Sequence, residues 1–274
     1  MKTWFITGCA EGGLGYCIAE AALEAGDCVV ATSRHPEQVA ALVKRYEERV
    51  LPLQLDVTSA DGVRQAVAQA VERFGSLDVL VNNAGYAYRA AVEEGEEEKI
   101  RQIYEINLFA PLHLMRVVLP IMREQQSGTI VNITSIAAVS AAVGSAFYAS
   151  TKAALELLSD GLRKEAEPLG IRVMIVEPGA LRTHFRRNLQ ESPIRLNAYE
   201  KTAWQTRPEI VLQQAPEQGN PRKAGRLIVR VVNQKRLPMR LQVGSDSVAY
   251  VRARYAERLS EVDQYEALSH QTDF

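Results

Sequence analysis

The sequence predicts an α/β domain, a doubly wound sheet of about seven parallel strands with helices on both faces. Three observations carry this expectation. Short β-branched and apolar runs recur along the chain, segments with helical spacing alternate strictly with them, and glycines stand where the helices should stop. With 274 residues, no internal repeat and no interdomain linker, the chain suits a single domain over residues 1–274.

The elements follow in order. TWFIT (3–7) reads as the first strand, and the glycine-rich TGCAEGGLG (7–15) leads directly into the helical GYCIAEAALEAG, which should stop at Gly26. CVVATS (28–33) and LPLQL (51–55) read as the second and third strands. SADGVRQAVAQAVERFG reads as a helix with Ser59 as its N-cap and Gly75 at its end, before the strand LDVLV (77–81). TIVNIT (129–134), the helix YASTKAALELLSDGLRKEAE with its stop at Gly170, and IRVMIV (171–176) continue the alternation. Residues 184–222 break it, with four prolines, mixed charge and isolated aromatics, and are expected to form a lid beside the carboxyl ends of the strands. PRKAGRLIVRVVNQ reads as a helix, RLQVG as the last strand, and the rest as a polar tail to Phe274. This is the order of a Rossmann-type fold.

Composition excludes some functions. Lys and Arg number 32 against 33 Asp and Glu, so there is no surplus charge to grip nucleic acid or an anionic membrane. Cys9, Cys17 and Cys28 show no ligand spacing and neither do the four histidines, so no metal is expected. The N-terminus enters a strand without a signal-like segment, and no apolar run approaches bilayer length, so a cytoplasmic protein is expected.

The first turn suits a cofactor. Gly8, Gly13, Leu14 and Gly15 let backbone approach a pyrophosphate, and the helix start offers amide donors and the positive end of its dipole. At the end of the second strand a carboxylate would select the ribose 2′-hydroxyl of NAD, but the chain reads Ala31, Thr32, Ser33, Arg34, His35. A hydroxyl followed by a guanidinium suits a 2′-phosphate, so NADP is expected over NAD, with NAD still possible and Glu11 acting against it.

Ser135 ends the fifth strand, Tyr148 stands thirteen residues on in the first turn of the next helix, and Lys152 follows one turn later on the same face. The three can converge at the carboxyl edge of the sheet. At this point the chain resembles the short-chain dehydrogenase/reductase family over most of residues 3–183. The motifs stand in the family's order: the glycine loop, DVT (56–58), NNAG (82–85), Asn107 in INLFAP, Ser135, YASTK (148–152) and PGALRT (178–183). One departure is the glycine loop, with four residues between Gly8 and Gly13 where the family pattern has three.

The resemblance implies roles. Asp56 and Val57 would lie near the adenine, Asn82, Asn83, Ala84 and Gly85 along the cofactor wall, and Pro178, Gly179 and Thr183 near the nicotinamide. Asn107, Ser135, Tyr148 and Lys152 would be the catalytic set, with Lys152 also on the ribose and Asn107 holding a water that links Lys152 to solvent. The chemistry is coherent: an alcohol gives up a hydride only as its hydroxyl proton leaves, and a phenol can serve both directions if it titrates near working pH. Lysine and the oxidised nicotinamide are expected to bring Tyr148 down from about 10 toward about 7, roughly 4 kcal/mol. Ser135 would hold the substrate oxygen in line.

The expectation is therefore an oxidoreductase moving a hydride between NADP and a small carbonyl or secondary alcohol. A catalytically silent cofactor-binding regulator and a sugar-nucleotide epimerase are the alternatives. The family also implies a homodimer or homotetramer, with the helices at 98–125 and 148–169 as candidate interfaces.

Overall fold

The computed structural model describes residues 1–205 and 219–274. Its strands are β1 (Thr3–Ile6), β2 (Cys28–Ser33), β3 (Val50–Gln54), β4 (Val79–Asn82), β5 (Tyr88–Arg89), β6 (Gly128–Ile133), β7 (Ile171–Pro178), β8 (Gln190–Glu191) and β9 (Arg240–Val243). Seven form one parallel sheet in the order β3-β2-β1-β4-β6-β7-β9, and β5 pairs with β8 separately. The sheet matches the expected seven strands. Strand order reverses between β1 and β4, which opens the crevice where open α/β sheets bind ligands.

The helices are α1 (Leu14–Glu24), α2 (Ala40–Tyr46), α3 (Ala60–Phe74), α4 (Glu97–Tyr104), α5 (Ala110–Glu124), α6 (Ala146–Ala166), α7 (Pro221–Val232) and α8 (Ser245–Ser269). Alternate strand residues feed two cores. Trp4, Ile6, Val29, Val81 and Val176 pack with α1 and α7 on one face, while Phe5, Val30, Leu80, Ile130 and Val173 pack with α3, α5 and α6 on the other. Ser59 caps α3 as expected, its hydroxyl accepting from Gly62 N at 3.1 Å. Gly26, Gly75 and Gly170 all adopt the positive φ that ends a helix before the next strand.

Three expectations are corrected. The tail after the last strand is α8, twenty-five residues long and exposed from Tyr255 onward. Its arginines and acids spread around the whole helix, so no stripe announced it. The segment predicted as a lid at 184–222 is built in part: a 3-10 turn at His184–Asn188, β8, and a second turn at Asn197–Tyr199. Residues 206–218 of that prediction lie outside the described residues, and its end falls inside α7, which Asn220 caps by accepting from Arg222 N and Lys223 N. Finally, α4 and α5 join into one helical run, Glu97–Glu124, long and apolar enough by composition to cross a bilayer. In this fold Leu114, Met115, Val118 and Met122 on that run are buried in the core beneath the sheet.

Cys9, Cys17 and Cys28 are free and buried. Burial pushes the Cys9 thiol up to about 12 and that of Cys17 up to about 11.

Candidate active site

The glycine loop leaves β1 at Thr7, whose buried hydroxyl accepts from Asn83 N at 2.9 Å and Ala84 N at 3.0 Å. Asn83 Nδ2 donates back to Thr7 O at 2.8 Å and Gly8 O at 3.1 Å. The loops after β1 and β4 are thereby stitched across the crevice. Gly8 has φ of +70°, and a Cβ on it would lie 3.0 Å from Ala84 Cα. Helix α1 begins after Gly13 with neither a side-chain cap nor an acid in its first turn, so its leading amides are left for an anion. That arrangement fits a dinucleotide pyrophosphate. The extra residue of the loop leaves this helix start intact at Leu14.

Beyond β2, Arg34 is exposed and free of ion pairs among the described residues. Ser33 is buried, and its hydroxyl donates to Gln38 Oε1 at 3.1 Å and accepts from His35 N at 3.2 Å. A hydroxyl so engaged is a poorer phosphate ligand than the sequence suggested, which leaves Arg34 as the cation at this edge. Asp56, past β3, is exposed and accepts from Thr58 N and Oγ1, with Val57 half-buried beside it. Glu11 is exposed as well.

The reacting residues come together at the same edge. Ser135 follows β6 in extended backbone and caps a short 3-10 turn, its hydroxyl accepting from Ala137 N at 3.1 Å. Tyr148 lies in the first turn of α6 and packs against the cluster of Tyr86, Tyr88, Ala90 and Ile103. Burial pushes its phenol up to about 12, and a hydrogen bond with Ser135 works in the other direction. Lys152 is buried one turn on, its Nζ donating to Ile133 O at 3.0 Å and standing 5.9 Å from the Tyr148 ring centre. Desolvation holds its ammonium down to about 8. The expected lowering counted lysine together with the oxidised nicotinamide; of the protein's own groups, burial is the largest influence on the phenol. Burial dominates at both residues.

Asn107 sits in a π-helical turn, Glu105–Phe109, between α4 and α5. It is fully buried, and its side chain brackets Tyr86: Oδ1 accepts from Tyr86 N at 3.2 Å and Nδ2 donates to Tyr86 O at 3.0 Å and Thr151 Oγ1 at 3.2 Å. The amide is thus spent on protein partners rather than offered to a water. A Cβ on Gly85 would lie 2.9 Å from Asn107 Oδ1 and 3.5 Å from Lys152 Nζ, so the NNAG loop runs against both residues. Asn82 instead faces the core, with Nδ2 donating to Asn132 Oδ1 at 2.8 Å.

The family model for short chain dehydrogenase matches residues 2–193. The chain belongs to that family. Among curated relatives of this short-chain dehydrogenase, an oxidoreductase from Botryotinia fuckeliana is 39% identical over 264 residues, covering 96% of each chain. A 3-ketodihydrosphingosine reductase from Bacteroides thetaiotaomicron is 34% identical and covers 87% of this chain and 86% of its own length. Among solved structures, a short-chain dehydrogenase from Streptomyces avermitilis superposes over 100% of both chains with a TM-score of 0.92 and 38% identity. One from Burkholderia cenocepacia, in complex with NADP, has a TM-score of 0.75 at 25% identity, covering 96% of this chain and 98% of that one.

The rest of this short-chain dehydrogenase's site comes from β7 and the segment after it. Gly179 N donates to Val243 O, and Ala180 N to Asp246 Oδ2 on α8, which fixes the Pro178–Gly179 turn. Thr183 caps the following turn through Phe185 N at 3.3 Å, and the Phe185 ring lies 5.9 Å from that of Tyr148. His184 N donates to Gly12 O at 3.0 Å, tying this segment to the glycine loop. Sequence reasoning missed Thr7, which pins two loops, and Thr151, which supports Asn107. Their neighbours in TG and YASTK were the available signal, but a buried hydroxyl's partner is set by the tertiary fold.

Proposed function

We propose that this short-chain dehydrogenase is an NADP-dependent oxidoreductase acting on a small carbonyl or secondary alcohol, with Tyr148 as its acid–base group. The observation that carries the reading is convergence: Ser135 beside the Tyr148 phenol, Lys152 beneath the same ring, and Gly85 of the cofactor wall against Lys152 and Asn107. Arg34, exposed at the end of β2, supports the choice of NADP, as does the NADP bound to the Burkholderia relative.

When bound, the nicotinamide supplies or accepts the hydride. Ser135 holds the substrate oxygen against the phenol, and Tyr148 moves the proton at that oxygen. A phenol raised to about 12 is protonated throughout the neutral range, which is the form that delivers a proton to a ketone oxygen. Lys152, charged below about 8, stabilises the phenolate left behind. Phe185 stands over Tyr148 and helps keep water from the reacting centre.

The functional unit is proposed to be a homo-oligomer in the cytoplasm. Phe109, between α4 and α5, and Leu157 on α6 are both exposed, on the helices that the sequence marks as interfaces. Turnover of NADP(H) and NAD(H) across ketones, aldehydes and secondary alcohols tests the activity, with Tyr148→Phe as control. Loss of turnover with retained cofactor binding in the variant is expected. Tight cofactor binding by the native protein without turnover on a broad panel would favour the regulatory alternative.

A further inference from the structure

Behind the reacting residues lies a second polar cluster, one turn further along α6. Thr134, the neighbour of Ser135, places its hydroxyl 2.9 Å from Glu156 Oε1 and 3.0 Å from Val176 O. A threonine hydroxyl carries one proton, and both of these oxygens call for it. Val176 O already accepts from Thr134 N at 2.8 Å. Both hydroxyl contacts are hydrogen bonds at once only when the Glu156 carboxyl is protonated: its O–H donates to Thr134 Oγ1, and Thr134 donates to Val176 O.

The surroundings agree. Glu156 is 7% exposed and Glu177, on β7, is fully buried beside it. Among the described residues a single cation faces the two carboxyls, Arg240 on β9, whose Nε lies 3.4 Å from Glu156 Oε2 and 3.6 Å from Glu177 Oε1. Gln242 Nε2 donates to Glu177 Oε2 at 2.5 Å, and Glu177 Oε1 has no hydrogen-bond partner among the described residues. Two buried carboxylates against one arginine is a costly arrangement, relieved when one of them keeps its proton. Burial and the Glu177 charge push Glu156 up to about 7, against the pull of Thr134 and Arg240. On its own helix, Lys152 and Asp160 stand one turn to either side.

We propose that Glu156 is a positioning residue for the reaction assigned above: it holds a proton beside the Glu177 carboxylate and, through Thr134, fixes the strand end from which Ser135 reaches the substrate oxygen. The proposal rests on that functional reading for its consequence but not for its proton. Lys152 and Glu156 thereby fasten consecutive turns of α6 to consecutive residues, Ile133 and Thr134, just before Ser135. Ionisation of Glu156 turns the Thr134 hydroxyl away from Val176 O to donate to the carboxylate, so the strand end loses its side-chain bond to β7 and the placement of Ser135 slackens.

Infrared titration of the purified protein tests the proton without any substrate. A carboxylic C=O band present at about pH 6, lost by about pH 9 and absent in Glu156→Gln is expected. No such band in the native protein would overturn the proposal. Kinetics test the positioning. The amide of Glu156→Gln can still donate to Thr134, so this variant should keep its kcat and move the onset of the native decline in kcat from about pH 7 toward about pH 8, where Lys152 loses its proton, whereas Glu156→Leu should lose about 10- to 100-fold in kcat with cofactor KM unchanged. A Gln variant as impaired as the Leu variant, or one with the native pH profile, would also overturn it. If the band behaves as expected but the native protein turns over no carbonyl with either cofactor, the proton stands and the functional reading fails.

Discussion

Lys152 Nζ and the carbonyl oxygen of Ile133 are 3.0 Å apart, and this bond locks the ammonium to the strand that ends in Ser135. The charge is fixed in place as well as present. Lys152→Arg keeps a cation but replaces a compact ammonium with a larger planar fork at a buried position beside Ile133. Turnover is expected to fall about 100-fold, as for a misplaced catalytic group. Native-like kcat in this variant would show that charge alone suffices.

Gly85→Ala tests how closely the cofactor wall runs against the reacting residues. The added Cβ meets Asn107 Oδ1 at 2.9 Å, so Asn107 must shift, while Lys152 Nζ at 3.5 Å is in ordinary contact. We expect a loss of about 1–3 kcal/mol in urea unfolding, the ordinary range for overpacking. A drop of at least about tenfold in kcat should accompany it, from the displaced Asn107. An unchanged kcat would mean that the wall yields instead.

Cofactor choice should rest on Arg34. With Ser33 engaged by Gln38 and His35, the guanidinium is left as the ligand for a 2′-phosphate. Arg34→Gln is expected to raise KM for NADP by about 10- to 100-fold, the worth of one charge-assisted bond, and to leave KM for NAD nearly unchanged. Equal effects on both cofactors would place the arginine elsewhere.

Stability should vary with pH in two opposed steps. Glu156 is raised to about 7, so its contribution is intact below the unfolded carboxyl value of about 4.3 and is lost as pH rises through about 7. The full loss is roughly 4 kcal/mol. Lys152 is lowered to about 8, so between there and about 10.4 the unfolded chain binds more protons and stability rises with pH. Urea midpoints should therefore pass through a minimum between about pH 7 and 8. Glu156→Gln should flatten the acid side of that minimum and Lys152→Met the alkaline side; a variant that leaves its own side unchanged would assign that step to other groups.

The sheet was legible in the sequence because each strand is a short apolar run closed by its own turn residue. CVVATS became β2 without a change of boundary, and Ser59 capped α3 as its position required. Ser135, Tyr148 and Lys152 were legible because strand end and helix face fix their spacing. Glu156 was not: a glutamate on a helix reads as a solvated charge until the fold sets it against Glu177 and Thr134. The burial that raises the Tyr148 phenol was hidden for a related reason, since YASTK shows the nearby lysine but not the packing around the ring. Helix α8 escaped because its charges encircle the helix, leaving nothing periodic to read.

Cys9 lies inside the turn between β1 and α1, fully buried, with its Sγ donating to Ile6 O at 3.3 Å. A thiol held near 12 and shielded from solvent cannot be alkylated while that turn is closed. The rate at which a thiol reagent modifies Cys9 under native conditions therefore counts the openings of the glycine-rich turn. The protein carries an internal clock for its own breathing, and a ligand seated on that turn would slow it.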